Sequence, residues 1–122
     1  MGLDMYAFAT AERIAAAVDF PEPKVTAELH YWRKHPDLHG WMQKLYVAKG
    51  GADEEFNLSP VVLDGADLAA LEAAIKGDEL PKTSGFFFGE SDESMRDDDL
   101  AFVREARKAI SDGKTVYYVA WW

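Results

Sequence analysis

The chain contains no cysteine. Disulfides, thiolate metal sites and cysteine nucleophiles are therefore excluded. No apolar run approaches the ~20 residues that a helical membrane span needs. The opening Met1-Gly2-Leu3-Asp4-Met5-Tyr6 lacks the basic start and apolar stretch of a signal peptide, and it has no Ser or Thr at position 6 for the myristoylation pattern. Cytoplasmic residence is the expectation. Catalytic signatures are missing too. There is no Gly-x-x-x-x-Gly-Lys, Gly-x-Gly-x-x-Gly, Gly-x-Ser-x-Gly or His-Glu-x-x-His, so an enzyme would have to assemble its site from scattered residues.

Positive charge is scarce. Thirteen Lys and Arg stand against 22 Asp and Glu, a net charge of -9. General nucleic-acid binding needs net neutralisation of phosphates and is not expected. The deficit is uneven, because residues 24–49 carry five bases (Lys24, Arg33, Lys34, Lys44, Lys49) and only two acids. That segment is a basic island in an acidic chain.

Apolar residues are plentiful, at 48% of the 122, with 13% aromatic. A chain of this length buries roughly two-thirds of its unfolded surface, so one core suffices. Leu3 to Ala9 reads as a strand. Thr10 is placed to cap a short helix over 11–18, which Pro21 and Pro23 stop. Val25, Leu29 and Trp32 share a helical face, so residues 25–49 read as two helices broken at His35, the second starting at Pro36. Pro60 to Leu63 is a short strand. Asp64 and Asp67 open a helix that Gly77 closes. Ser84 to Gly89 reads as a buried strand, with Phe86 and Phe88 on one side and Phe87 on the other. Residues 90–99 read as an acidic loop, followed by a helix from Leu100 to a stop at Gly113. Thr115 to Trp122 is apolar on both alternations and should be a central strand. The expectation is a single α+β domain over 1–122, with a three- to four-stranded, mostly antiparallel sheet packed against about four helices.

Three features carry possible chemistry. His30, His35 and His39 lie close in sequence, but Pro36 breaks the register that would let His35 and His39 share a helix face. Unliganded histidines are the plain reading, and neither a metal nor a cofactor is expected. His39, with Arg33 or Lys34 as an anion clamp, is the one candidate for a general base, and an enzyme is the less favoured class. Glu90, Asp92, Glu93, Asp97 and Asp98 form an acidic stretch without calcium-loop spacing. It is either solvated or a partner-facing loop for a basic cleft. The densest stretch runs from Leu29 to Trp41, where Tyr31, Trp32, Arg33, Lys34, His39 and Trp41 interleave rings with cations. Such residues suit an anionic flat ligand or a protein interface, and equally a packed core. The free N–H groups at Pro36 would add an anion-attracting helix end.

Met1-Gly2-Leu3-Asp4-Met5-Tyr6, then Tyr31-Trp32-Arg33-Lys34 with Leu38-His39-Gly40-Trp41, then Ser84-Gly85-Phe86-Phe87-Phe88-Gly89, and finally Tyr117-Tyr118 and Trp121-Trp122 occur in this order. The combination resembles a family of small phage and prophage proteins that open in the same way. Some members carry a phosphoglycerate-kinase-like label, which a chain this short without a nucleotide-binding signature does not support. The resemblance implies a mobile bacterial origin and supplies no catalytic residue. It points to an accessory protein in the host cytoplasm that acts by binding a host protein or complex, an anti-defence inhibitor of the anti-CRISPR kind being its sharpest form. An anionic small molecule such as a nucleotide is the alternative ligand, and a homodimer is a further option.

Overall fold

Strand β1 (Asp4–Thr10) alternates in burial along its length, with Met5, Ala7 and Ala9 inward and Tyr6 and Phe8 on the opposite side. That period of two is the signature of a sheet covered on one face. The computed structural model, which describes residues 2–85 and 88–122, builds such a sheet from β1, β2 (Ala27–Arg33), β3 (Val61–Leu63) and β4 (Thr115–Trp121). The strand order is β2-β1-β4-β3, and every pair is antiparallel. Three α-helices, α1 (Pro36–Ala48), α2 (Gly65–Lys76) and α3 (Arg96–Ser111), complete one α+β domain. No helix among the described residues is long and apolar enough to cross a membrane.

One face of the sheet holds the core. Met5, Ala7, Trp32, Val61, Leu63, Val116, Tyr118 and Ala120 meet Leu38, Met42 and Tyr46 of α1, Leu68, Leu71 and Ile75 of α2, and Phe102, Val103 and Ala106 of α3. β4 is central, as its two apolar alternations demand. It pairs with β1 from Thr115 to Trp121 and with β3 from Val116 to Tyr118. At its far end Leu58 N–H donates to Ala120 O (2.8 Å). α2 begins on a capping box, in which Asp64 and Asp67 each accept the other's backbone N–H, and its C-cap is Gly77.

Four sequence expectations need correction. Residues 27–33 form a strand instead of a helix. β2 skips a residue against β1, Ala7 facing His30 and Phe8 facing Glu28, so Leu29 is the extra residue of a bulge. The bulge shifts strand parity and lets Leu29 and Trp32 both pack against the core. Their spacing of three imitates a helix. Residues 11–18 also form no helix. The Thr10 hydroxyl donates to Val25 O (2.6 Å) while accepting from Glu12 N–H (3.1 Å), which ties the two ends of the β1–β2 connection together. Val18 bridges to Val61, so this segment lengthens the edge at β3.

The expected strand at 84–89 is not formed by its described residues. Phe88 N–H donates locally to Gly85 O (3.1 Å) in place of a ladder bond, and the sidedness of Phe86 and Phe87 lies outside the described residues. The 90–99 stretch is only partly a loop. Asp92 caps a 3-10 turn over Glu93–Met95, and α3 starts at Arg96, with Asp97, Asp98 and Asp99 in its first turn where the helix dipole favours acids.

β4 and the C-terminal Trp122 generate a stability prediction. Trp122 packs edge-on against Phe88 (4.9 Å between ring centres) and His39 (5.2 Å). Deleting residues 119–122 removes three of the seven pairs between β4 and β1 as well as this ring contact. The shortened chain should lose cooperative thermal unfolding, measured by circular dichroism. Trp122→Ala alone should remain cooperative and cost about 1.5–3 kcal/mol. An unchanged melting temperature for the deletion would mean that this end of β4 carries no stability.

Candidate functional site

Strand geometry separates the residues that sequence places together. Tyr31 and Arg33 project from the side of β2 away from the core, whereas Trp32 is buried against α3. Arg33 lies 4.0 Å from Asp4. Lys34 is exposed and takes a left-handed backbone conformation, with its N–H donating to Leu3 O (2.8 Å). Trp41 is partly buried against the core. His39 is fully enclosed, joined to the Tyr118 hydroxyl at 2.7 Å and packed between Phe56, Phe88 and Trp122. No described carboxylate bonds to it, so the reading of His39 as a general base beside an anion clamp is corrected: it is a core residue. His30 sits against Trp32 and bonds Asp98 (2.9 Å), with Glu105 3.5 Å away. No group of three His, Asp or Glu among the described residues is arranged to hold a metal ion.

His35 occupies the junction between β2 and α1, and here the expectation of a site at the His35–Pro36 break meets a different chemistry. His35 and Asp99 are 3% and 2% exposed. Asp99 Oδ1 accepts from the Trp32 indole N–H (3.0 Å), and Asp99 Oδ2 lies 2.7 Å from His35 Nε2. The other imidazole nitrogen, Nδ1, lies 2.7 Å from Ser91 Oγ. A buried carboxylate accepts, so Nε2 carries the proton. In the neutral tautomer that keeps its proton on Nε2, Nδ1 accepts from the Ser91 hydroxyl. Ser91 Oγ in turn accepts the Asp37 backbone N–H (3.0 Å). The helix end that sequence assigns to an anion is thus filled by a serine hydroxyl.

This relay forms one wall of a polar cleft of about 460 Å³. Asp37, Asp78, Asp92 and Glu93 line it with Lys82 and Arg96. Lys82 pairs with Asp37 (3.5 Å), and Arg96 donates to Lys76 O (2.9 Å). Of the acidic stretch, Asp92 and Glu93 face this cleft, while Glu90, Asp97 and Asp98 are exposed and do not line it. Gly40 allows the far wall to close in, because a Cβ there would lie 1.9 Å from Thr83 Oγ1. The 81–83 segment is further held by Thr83 N–H donating to Asp37 Oδ1 (3.0 Å).

The second feature is the sheet face opposite the helices. Tyr6 stacks on Phe8 (5.8 Å) and Trp121 (4.7 Å) and touches Tyr31 (5.0 Å). Phe8 meets Tyr117 (5.5 Å), which Phe20 abuts edge-on (5.4 Å). Tyr31 is 41% exposed and Trp121 40%. A shallow cleft of about 270 Å³ opens here between Phe8, Phe20, Leu58, Tyr117 and Trp121. The Tyr31 hydroxyl donates to Asp4, and that bond, with burial, pushes its pKa up to about 12. Sequence reasoning found Tyr31 and missed Tyr6, Phe8, Tyr117 and Trp121 as a surface, although the alternation in β1 was a usable signal. Ser91 and Asp99 had no signal, since they meet His35 only across 56 and 64 residues.

His39 makes a pH prediction. Burial lowers its pKa from 6.5 to about 4, so the unfolded chain takes up this proton more readily than the folded one. The stability owed to neutral His39 is complete above pH 6.5 and is lost as pH falls toward 4. The slope is at most about 1.4 kcal/mol per pH unit. Urea midpoints should fall across that window in the native chain, and His39→Phe should flatten the fall. An equally steep profile in the variant would assign the proton uptake to other groups.

No protein-family model matches the chain, and no curated protein or solved structure matches it either.

Proposed function

We propose that the chain acts by binding a partner protein through the open aromatic face of its sheet. The carrying observation is the continuous set of rings Tyr31, Tyr6, Trp121 and Phe8 on a face that no helix covers, with Tyr117 buried at its end beneath Phe20. Tyr and Trp dominate the energetics of protein interfaces because they bury much area at low entropic cost. The rim sets the partner's character. Asp4, Glu22 and Glu28 border the rings on strands and connection, with Arg33 as the cation beside them. A partner that offers an apolar side chain framed by Lys and Arg complements this face. A second copy of the chain would oppose acid to acid on a molecule of charge -9. Nucleic-acid bases also stack on rings, but the same acids repel the phosphates.

The resemblance to phage and prophage proteins makes a bacterial host protein the natural partner, and inhibition of a defence complex is the sharpest form of this reading. Affinity capture from bacterial lysate tests it with the native chain and with the double variant Tyr31→Ser, Trp121→Ser. A specific protein should be retained by the native chain. Its retention should weaken toward roughly 1 M salt, where the screening length falls to ~3 Å. It should be lost with the double variant, whose melting temperature should fall only modestly because both rings are already partly exposed. Capture of the same protein by both chains would refute the proposal, as would a stable dimer in light scattering that buries Trp121.

A further inference from the structure

The geometry points to Ser91 as a nucleophile, activated by His35 and Asp99, in an acyl-transfer site that opens into the polar cleft. The inference is independent of the aromatic face, which lies on the other side of the sheet. Three observations carry it. The hydroxyl, imidazole and carboxylate form an unbroken relay with both contacts at 2.7 Å. The imidazole and carboxylate are buried, while Ser91 is partly accessible and lines the cleft. The proton inventory is also the one that nucleophilic serine chemistry requires. The Trp32 indole N–H and His35 Nε2–H both donate to Asp99, and in the neutral imidazole this arrangement leaves Nδ1 to accept from Ser91. Either imidazole nitrogen can serve as the base, because what decides is the partner on the other nitrogen.

The step balances without a further reactant. Ser91 Oγ attacks the carbonyl carbon of an ester as its proton passes to His35 Nδ1. The imidazolium that forms is held by Asp99. The tetrahedral adduct collapses, the C–O bond to the leaving alcohol breaks, and His35 returns the proton to that alcohol. Water then repeats the sequence on the acyl-serine, giving a carboxylic acid and free Ser91. The Asp37 N–H at the positive end of α1 stabilises negative charge on Oγ as it develops. The Asp92 N–H, next in the chain after the nucleophile, has no acceptor among the described residues and is a candidate donor for the carbonyl oxygen.

The lining chooses the substrate class. Asp78, Asp92 and Glu93 outnumber Lys82 and Arg96, and both cations already have partners. A small ester carrying a positive charge fits this cleft, and an anionic ester does not.

A fluorophosphonate probe tests nucleophilicity, with the adduct located by mass spectrometry. The folded native chain should take up one equivalent at Ser91. Asp99→Asn and His35→Gln should slow labelling by about 10²-fold. A cationic ester such as acetylcholine should compete with the probe, and a succinate monoester should not. Because those two variants remove buried bonds, Ser91→Cys supplies a second measurement that leaves His35 and Asp99 in place. Its thiol should react with iodoacetamide at a rate that stays high below the ordinary thiol pKa. The inference is overturned by an unlabelled native chain, by an adduct elsewhere, or by a Ser91→Cys thiol with the pH profile of a free cysteine. The Tyr31 and Trp121 variants should label like the native chain, so loss of docking and loss of nucleophilicity can be told apart.

Discussion

The structure depends on the satisfaction of one buried carboxylate. Asp99 sits in the first turn of α3, yet it accepts from the Trp32 indole on β2 and from His35 at the start of α1. An unpaired charge at that depth would cost several kcal/mol, so these donors must all be in place when α3 docks. The relay continues through Ser91 to the Asp37 backbone N–H, which gives α1 the cap that its first residue, Pro36, cannot provide from its own sequence. One network thus fixes an edge strand, two helices and the 89–92 connection relative to one another. The same constraint that orders the fold also points a serine hydroxyl into a cleft.

The sheet divides the molecule into two chemically different sides. On the helix side, rings and aliphatic chains close around polar groups that find each other, such as His39 with Tyr118 and Trp32 with Asp99. On the opposite side the rings stack on one another and stop at solvent, with carboxylates around them. An antiparallel sheet tolerates such an uncovered face, but a run of rings there is more apolar surface than solubility alone calls for. The strong negative charge opposes the meeting of two such faces and is what the proposed basic partner would complement.

The acidic stretch acts differently from a free loop. Asp99 is internal, Asp98 pairs with His30, and Asp92 caps a 3-10 turn while lining the cleft. Carboxylates close in sequence therefore serve three separate ends, because Asp92 precedes α3 on the 3-10 turn and the helix that begins at Arg96 turns the adjacent Asp98 and Asp99 to different sides.

Much was settled by the sequence alone. A run mixing aromatic and aliphatic residues set β1, two-sided apolarity made β4 central, and Pro36, Asp64, Asp67 and Gly77 marked helix ends, since each of these signals is local and needs no distant partner. The α+β class follows from their order. The tertiary structure decided the rest. β2 is a strand because β1 offers an unpaired edge, and its bulge at Leu29 gives an apolar spacing that a helix would also show. Once residues 27–33 are extended, Tyr31, Trp32 and Arg33 point to alternate faces, so Tyr31 and Arg33 are separated from the buried Trp32 and His39. Ser91 and Asp99 reach His35 only through the docking of α3. Hydrogen bonds between residues more than fifty positions apart leave no periodicity to read.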